Sequence, residues 1–239
     1  MMKDGRLPGA MDTGLYIAAS GMLAQQVRED QLANDLSNAS TPGYKTDASV
    51  QSDFGSMLLA NTATGQQIGQ VNTGVQLGKP VTDLSPASLH STGQPLDFGI
   101  AGDGFFAVRT PQGVQYTRDG QFQESAQGLL VDGQGNDVLS QNGAPIQVSA
   151  QGTVPASSVG VFNVTNPTKQ GYNYFTGSPA GRGSGIVKQG ELEESQVDPI
   201  NTMVHMISAT QTYQAGENAI QTIDSTMQES SQSVGSLGG

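Results

Sequence analysis

The sequence predicts an α+β fold, in which N- and C-terminal helices pair as a coiled-coil-like layer and a central all-β antiparallel domain is inserted between them. Apolar residues recur at alternating steps of three and four near both ends of the 239-residue chain, which is the spacing of paired helices. In the middle of the chain, short runs rich in Phe, Val, Ile and Tyr alternate with glycine-containing turns, which is typical of strands. The sequence therefore divides into a disordered leader (1–11), the N-terminal helix and its turn (12–45), an extended linker (46–95), the β-domain (96–189) and the C-terminal helix (190–239).

The N-terminal helix is predicted to begin at Asp12, whose carboxylate is suited to cap the first turn. It is expected to end in the run Asn38–Gly43, because Pro42 disfavours helix for the residue before it and Gly43 permits a turn. Two polar residues, Gln25 and Glu29, interrupt the apolar spacing. The predicted contact residues of this helix are Leu15, Ala18, Met22, Gln25, Glu29, Leu32 and Leu36.

The C-terminal helix is predicted to begin at Pro199, because Asp198 can cap it and proline suits the first helical position. The segment from Asp198 onward carries four carboxylates and no Lys or Arg, so interhelical salt bridges are mostly excluded. Close approach at Gly216, small residues and polar contacts are expected to determine the pairing instead. The predicted contact residues are Met206, Ala209, Tyr213, Gly216, Ile220, Ile223, Met227, Ser230 and Val234.

The β-domain is predicted to be an antiparallel meander or a small barrel. Four dipeptides have the Asx-Gly composition that supplies positive φ angles in hairpin turns: Asp103-Gly104, Asp119-Gly120, Asp132-Gly133 and Asn142-Gly143. In the linker, a single short strand is expected at Val75–Leu77. The strands predicted in the domain itself are 105–109, 114–117, 121–123, 129–131 and 146–148.

Composition excludes several classes of function. The chain has 10 Lys and Arg against 21 Asp and Glu, a formal charge of -11, which argues against binding to nucleic acid or to an anionic membrane surface. No apolar run approaches the roughly 18 residues of a membrane span, and residues 1–10 do not have the pattern of a cleaved secretory signal. The chain has no cysteine, which fits either a reducing compartment or a protein that stays unbridged during export.

The sequence predicts no catalytic, cofactor-binding or metal-binding residue, and no enzymatic activity. The two histidines, His90 and His205, fall in different segments, so neither a two-histidine metal site nor a Ser-His-Asp triad is supported. Asp103 and Asp119 could form the carboxylate pair of a glycosidase, but aspartate before glycine is far more often a hairpin turn.

The N-terminal segment resembles a known protein family. The runs Leu15–Met22 and Leu32–Lys45 are similar to the N-terminal signature of the bacterial flagellar axial proteins, the rod and hook group. Asp35 and Ser37 depart from that signature conservatively. The residues that carry the resemblance are Asn34, Asn38, Thr41, Pro42, Gly43 and Tyr44.

Two further blocks resemble the same family. The runs 96–98, 102–108 and 116–122 are similar to its central β-domain, and 189–198 is similar to its C-terminal signature. Gln196 and Asp198 stand where the family usually has asparagine. The three blocks occur in the family's order and span nearly the whole chain, so the match is specific. The residues that carry these two blocks are Gly104, Phe105, Asp119, Gly120, Gly190, Leu192, Glu193 and Ser195.

The resemblance implies a structural subunit of the flagellar basal body, most similar to the proximal and distal rod proteins. Such a subunit is expected to polymerise helically with copies of itself into the drive shaft for motility. It would contact neighbouring rod and hook proteins and leave the cell through the flagellar type III export apparatus, without a cofactor. Within the rod, both ends are expected to form an inner helical layer under the β-domain. The expected assembly interface comprises Leu15, Met22, Leu32, Leu36, Met206, Tyr213, Ile220, Ile223 and Met227.

Two other classes of function stay open from the residues alone. A secreted β-rich adhesin or glycan-binding module would bind glycans through its isolated middle domain and would form no filament. A hydrolase using Asp or Glu would act on a glycan and lose that activity when a single carboxylate is changed.

Overall fold

A computed structural model describes residues 9–53, 56–60, 67–72, 75–171 and 173–236. Helix α1 (Gly9–Ser37) and helix α2 (Pro199–Ser236) flank a β-rich middle, as the predicted α+β fold requires. Helix α2 begins at Pro199, as predicted. Helix α1 begins at Gly9, three residues before Asp12, so the prediction of a start at Asp12 is wrong and the residues Gly9–Met11 are helical. Residues 1–8 lie outside the described part of the chain.

The middle of the chain contains strands β1 to β17 and a short 3-10 helix at Ala156–Ser158. The strands are β1 (Asp47–Ala48), β2 (Gln51–Asp53), β3 (Ser56–Ala60), β4 (Gln67–Asn72), β5 (Val75–Leu77), β6 (Val81–Thr82), β7 (Leu89–Ser91), β8 (Phe98–Ala101), β9 (Phe105–Thr110), β10 (Gly113–Thr117), β11 (Gln123–Glu124), β12 (Leu130–Val131), β13 (Asp137–Val138), β14 (Val161–Gln170), β15 (Tyr174–Arg182), β16 (Ile186–Gln189) and β17 (Glu191–Glu193).

The chain forms two compact units. Of the described residues, the helical unit comprises those within 9–34, 48–81 and 200–236, and the β unit comprises those within 35–47 and 82–199. Each unit therefore draws on segments that are far apart in the sequence. The domain boundaries proposed from the sequence, 12–45, 46–95, 96–189 and 190–239, remain a prediction.

In the helical unit, α1 and α2 pack against each other in antiparallel orientation. The Thr210 hydroxyl donates a hydrogen bond to the Glu29 carboxylate at 2.6 Å. Further along, Gly216 lies against Met22, because a Cβ on this glycine would be 2.8 Å from the Met22 Cγ atom. As residue numbers decrease along α1, from Glu29 to Met22, the residue numbers of their contact partners on α2 increase, from Thr210 to Gly216. The two helices are therefore antiparallel. The predicted pairing of the two chain ends is confirmed.

The buried face of α2 follows the predicted spacing. The residues between 199 and 229 that are at least partly buried are Thr202, Met206, Ala209, Tyr213, Gly216, Ile220, Ile223 and Met227, and the other residues of this range are exposed. The steps of four and three correspond to a heptad repeat. The predicted contact residues Ser230 and Val234 lie beyond the side chains that the structure describes.

On α1, the buried face differs from the prediction at its N-terminal end. Met22, Leu32 and Leu36 are half-buried as predicted, but Leu15 is 40% exposed, and Gly14 and Ile17 are half-buried instead. A straight helix has about 3.6 residues per turn, so a pattern drawn at 3.5 drifts off the contact face over several turns. Leu15 therefore lies at the edge of the buried face, and its role as a contact residue stays a prediction.

The linker contains more strand than the sequence indicates. The strand at Val75–Leu77 is confirmed as β5, and it pairs antiparallel with β2. Strands β3 and β4 also pair antiparallel. Strand β4 contains Gly69 and Asn72, which have low β-propensity, so the local pattern does not indicate this pair.

In the β unit, four strands close into a small ring: β9 pairs with β10, β10 with β15, β15 with β14, and β14 with β9. Strands β13, β12 and β11 continue the sheet from β9. Both faces of β9 are buried, because Phe105 and Ala107 belong to one apolar cluster, whereas Phe106 and Val108 belong to another. The predicted all-β antiparallel domain is confirmed.

The turn predictions are partly wrong. Gly104 and Gly143 have positive φ angles of 131° and 76°, as Asx-Gly turns require, but Gly120 and Gly133 do not. Gly120 is needed for another reason: a Cβ at this position would lie 1.6 Å from the Phe98 carbonyl oxygen. Close packing of two backbone segments, rather than turn conformation, explains the glycine there.

Candidate functional site

Three charged side chains, one from each signature block, meet inside the β unit. Lys45 follows the N-terminal turn, Arg118 follows β10, and Glu193 ends β17. The Lys45 Nζ atom lies 2.6 Å from Glu193 Oε1, and the Arg118 Nη1 atom lies 3.0 Å from Glu193 Oε2. All three side chains are at most 1% exposed. We call these three residues the ion cluster.

The ion cluster is also bonded to the main chain around it. Lys45 Nζ donates to the Ser85 carbonyl at 2.6 Å, and Arg118 Nη2 donates to the Gly102 carbonyl at 2.9 Å. The Ala87 N–H donates to Glu193 Oε1 at 2.8 Å. Burial lowers the pKa of Lys45, while the hydrogen bond and charge of Glu193 act in the opposite direction. Removing one member of such a buried pair leaves an uncompensated charge, which costs about 3–5 kcal/mol.

The turn after α1 is held in place by the segment that precedes α2. The Gly43 N–H donates to the Glu193 carbonyl at 2.8 Å, and the Gln196 N–H donates to the Tyr44 carbonyl at 3.1 Å. The Ser195 hydroxyl donates to the Asn38 carbonyl at 2.9 Å. These bonds join the two chain segments from which the helices leave the β unit.

Gly43 is the residue of this turn that tolerates least change. Its φ angle is 64°, and a Cβ here would lie 2.3 Å from the Arg118 carbonyl oxygen. On its amino side, the Asn173 side chain donates to the Pro42 carbonyl at 2.9 Å, and the Thr41 hydroxyl donates to the Asn38 side chain at 3.2 Å. The Thr-Pro-Gly sequence therefore forms a fixed turn rather than a simple end to the helix.

Tyr44 connects this turn to the last part of α1. Its hydroxyl donates to the Asp35 carboxylate at 2.9 Å, and burial raises the pKa of Asp35. The Lys169 ammonium lies 4.0 Å from the centre of the Tyr44 ring and 3.0 Å from the Asp47 carboxylate. Asp35 occupies a position where the family signature has asparagine, and it still accepts the tyrosine hydrogen bond.

The structure brings together several of the predicted signature residues but not all of them. Gly43, Tyr44, Glu193 and Ser195 meet at the ion cluster, and Phe105 lies beneath it, because Arg118 is 5.2 Å from the Phe105 ring centre. Elsewhere in the β unit, Leu192 pairs with His90, and Gly190 has a φ angle of 74°. Asn34 is exposed and belongs to the helical unit.

Sequence reasoning missed Lys45 and Arg118 as site residues, although both lie inside the quoted motifs. A charged residue next to a turn is usually solvated, so neither residue stands out locally. The only available signal is that each of the three separate blocks carries such a charge.

The helical unit carries a second apolar surface, on the faces turned away from the helix pair. On α2, four side chains that are 49–75% exposed fall on one face: Ile200, Met203, Val204 and Ile207. On α1, three side chains that are 38–57% exposed fall on one face: Tyr16, Leu23 and Val27. At about 100° per residue, each set lies opposite the buried face of its own helix. We call these sets the outer faces of α2 and α1.

No group of three or more His, Cys, Asp or Glu among the described residues could hold a metal ion. His90 lies in the β unit and His205 in the helical unit, and both are exposed. No helix in the described part of the chain is long and apolar enough to span a membrane.

Asp119 has an unusual environment, which gives a testable pH dependence. It lines a cavity of about 170 Å³, and burial, reinforced by the charges of Asp132 and Asp97, raises the pKa of Asp119 to about 6. The folded state therefore favours the protonated carboxyl, so ionisation of Asp119 opposes folding above pH 6. We expect Asp119→Asn, which keeps an acceptor for the Gln121 N–H, to stabilise the protein by on the order of 2 kcal/mol at pH 7.5.

This gain should shrink as the pH falls below about 6 and vanish only below about pH 3, where Asp119 is protonated in both states. Urea unfolding at several pH values measures it. Asp103→Asn, the same change in an exposed turn, is the control. A gain for Asp119→Asn that does not depend on pH would contradict the buried ionisation.

Comparison with known proteins supports the resemblance. A family model described as "Flagella basal body rod protein" matches residues 15–45. "Flagellar hook protein FlgE/F/G D1 domain" matches residues 99–165, and "Flagellar basal body rod FlgEFG protein C-terminal" matches residues 188–233. Each of the three matched regions contributes one residue to the ion cluster.

Individual relatives align over nearly the whole chain. The flagellar basal-body rod protein FlgG of Bacillus subtilis (strain 168) is 32% identical over 90% of this chain and 96% of its own length. FlgF of Mesorhizobium japonicum is 30% identical over 95% of this chain and 99% of its length. FlgG of Buchnera aphidicola subsp. Schizaphis graminum is 29% identical over 93% of this chain and 100% of its length.

Proposed function

The chain belongs to the flagellar basal-body rod protein family, and on this premise we propose that it polymerises helically with copies of itself to form part of the axial drive shaft. It is a structural subunit of the rod and is located in the flagellar basal body. In this role it contacts neighbouring rod and hook proteins and is delivered by the flagellar type III export apparatus. The lack of cysteine suits a chain that must stay unbridged on that route.

The observation that carries this proposal is that both helices are apolar on two opposite faces. One face of each helix is used in the pair of α1 and α2, which leaves the outer faces in water. Contiguous exposed apolar residues of this kind mark a surface for another protein. Burying these side chains on neighbouring copies would stabilise the polymer by about 25 cal/mol for each Å² of apolar surface removed from water.

The two outer faces lie at different heights along the helix pair. Because Thr210 lies beside Glu29 in this antiparallel pair, the outer face of α2 lies beside the C-terminal end of α1. The outer face of α1 is centred near Leu23, about 12 residues before that end. This separation is roughly 20 Å along the axis at 1.5 Å per residue. If the outer face of α2 covers the outer face of α1 on the next copy, the contact is head-to-tail. Contacts of this type generate an open polymer when the rotation does not close.

In the rod, torque would pass through many repeated copies of this helix contact. The β unit carries its own core and needs no neighbour to complete it. Most of the expected assembly residues then contribute by packing α1 against α2, which fixes the outer faces for contact with neighbouring copies. These residues are Met22, Leu32, Leu36, Met206, Tyr213, Ile220, Ile223 and Met227, with Leu15 at the exposed edge of the helix pair.

Ile207→Asp tests the proposal on the outer face of α2. The side chain is 59% exposed, so the purified subunit should keep its helix content, yet the charge should block burial in the polymer. We expect loss of rod incorporation and of motility when this variant replaces the native gene. Immunoblots of purified basal bodies and swimming in soft agar measure the two effects.

Ser208→Asp places the same charge one residue away on the same exposed helix and is the matched control. It should incorporate and swim normally. Normal motility of the Ile207→Asp strain at native expression level would overturn the polymer role of the outer face.

A further inference from the structure

The ion cluster joins segments that are far apart in the chain. Glu193 is 148 residues from Lys45 and 75 residues from Arg118. It bonds both cations, through one carboxylate oxygen each. The cluster therefore contains two cations and a single contacting anion, and that anion is the member nearest the C-terminal end of the chain.

A β unit without Glu193 in place would be electrostatically incomplete. Lys45 and Arg118 would be buried without a contacting countercharge, with the Ser85 and Gly102 carbonyls and the Phe105 ring as their remaining contacts, and the Nε atom of Arg118 already lacks a hydrogen-bond partner. Burying a cation without a countercharge is strongly unfavourable. Closure around Lys45 and Arg118 is therefore favourable only together with insertion of Glu193.

The main chain of the same segment completes the junction. The Glu193 carbonyl accepts from Gly43, and the following residues Ser195 and Gln196 bond to Asn38 and Tyr44. Insertion of the Glu193 side chain thus coincides with closing of the turn after α1.

We propose that the ion cluster is a folding latch, in which Lys45 and Arg118 hold the β unit open until residues 191–193 insert Glu193 between them. The latch makes folding of the β unit conditional on arrival of the segment that leads into α2. Both helices then leave the β unit from a completed junction. This inference goes beyond the rod role and does not depend on it.

Refolding of the full chain, followed by pulsed hydrogen exchange and mass spectrometry, tests the latch. In the wild type, peptides from β9 and β10 should gain protection in the same kinetic phase as residues 191–197. In the neutral variant K45M/R118M/E193Q, which keeps an acceptor for the Ala87 N–H, β9 and β10 should become protected earlier. Glu193→Gln alone should lower the folding equilibrium constant at least about 100-fold, because both cations remain.

The ion pair Lys188–Glu191, 3.3 Å apart in the same region, provides the control through its exposed member Lys188, which lies outside the inserted segment. The variant K188M should fold with wild-type timing and nearly wild-type stability. A second neutral variant, K45L/R118M/E193L, is measured in parallel with the first.

Three results would each overturn the latch. The first is protection of β9 and β10 before residues 191–197 in the wild type. The second is wild-type timing in a neutral variant that folds. The third is failure of both neutral variants to fold, which would show that the charges are needed for stability rather than for timing.

Discussion

Replacing Ile220 by aspartate is expected to abolish rod incorporation and motility. Ile220 is half-buried on the face of α2 that packs against α1, one turn from the contact between Gly216 and Met22. A carboxylate there has no cation within reach on α2, which carries no Lys or Arg. Burying it unpaired costs several kcal/mol, more than a helix pair with so few fully buried side chains can tolerate. The pair should separate, and the outer faces would lose their fixed arrangement.

Circular dichroism of the purified subunit distinguishes this variant from Ile207→Asp. Ile220→Asp should lose helix content, whereas the β unit, which has its own core, should keep its cooperative unfolding transition. Ala219→Asp, at an exposed position one residue away, is the matched control and should swim. A motile Ile220→Asp strain would show that the polymer does not need the helix pair.

The helix pair could be predicted from the sequence because its spacing is local and repeats over many turns. The steps from Met206 to Met227 recur in the structure without a break. Leu15 lies at the edge of the buried face, since a small difference in period accumulates along α1 and shifts this residue from the centre of that face.

The strands β14 and β15 could not be predicted in the same way. Strand β14 contains Asn166 and Pro167, and β15 contains Gly177 and Pro179, all of which local rules treat as strand breakers. The register of this pair shifts between Thr165 and Thr168, next to Asn166 with its positive φ of 48°. Tertiary pairing within the ring overrides the local preference.

The ion cluster lay beyond sequence reasoning for a different reason. Lys45, Arg118 and Glu193 each stand in a short motif where a charge normally faces water. Nothing local indicates burial, and only the folded β unit brings the three together. The family signature marks all three blocks as important, but only the contacts show that the blocks share one buried site.

The Asx-Gly dipeptides are a second case in which local sequence does not indicate the structural role of a residue. Two of them give the sharpest stability prediction. Gly120 and Gly133 each follow aspartate, and neither has a positive φ. A Cβ on Gly120 would lie 1.6 Å from the Phe98 carbonyl oxygen and 2.7 Å from its carbon, whereas a Cβ on Gly133 would meet no atom within 4 Å. The sequence cannot tell these two glycines apart.

Gly120→Ala is expected to destabilise the β unit by at least about 4 kcal/mol, because the backbone must move to admit the methyl group. This movement would strain the hydrogen bond that the Phe98 N–H donates to the Gly120 carbonyl. Gly133→Ala should change stability by less than about 1 kcal/mol, on the stabilising side, because alanine reduces the freedom of the unfolded chain. Urea unfolding of the two variants measures this difference directly. Equal denaturation midpoints would show that the backbone at Gly120 does not approach Phe98 as closely as the structure places it, whereas a large gap would establish that packing alone selects this glycine.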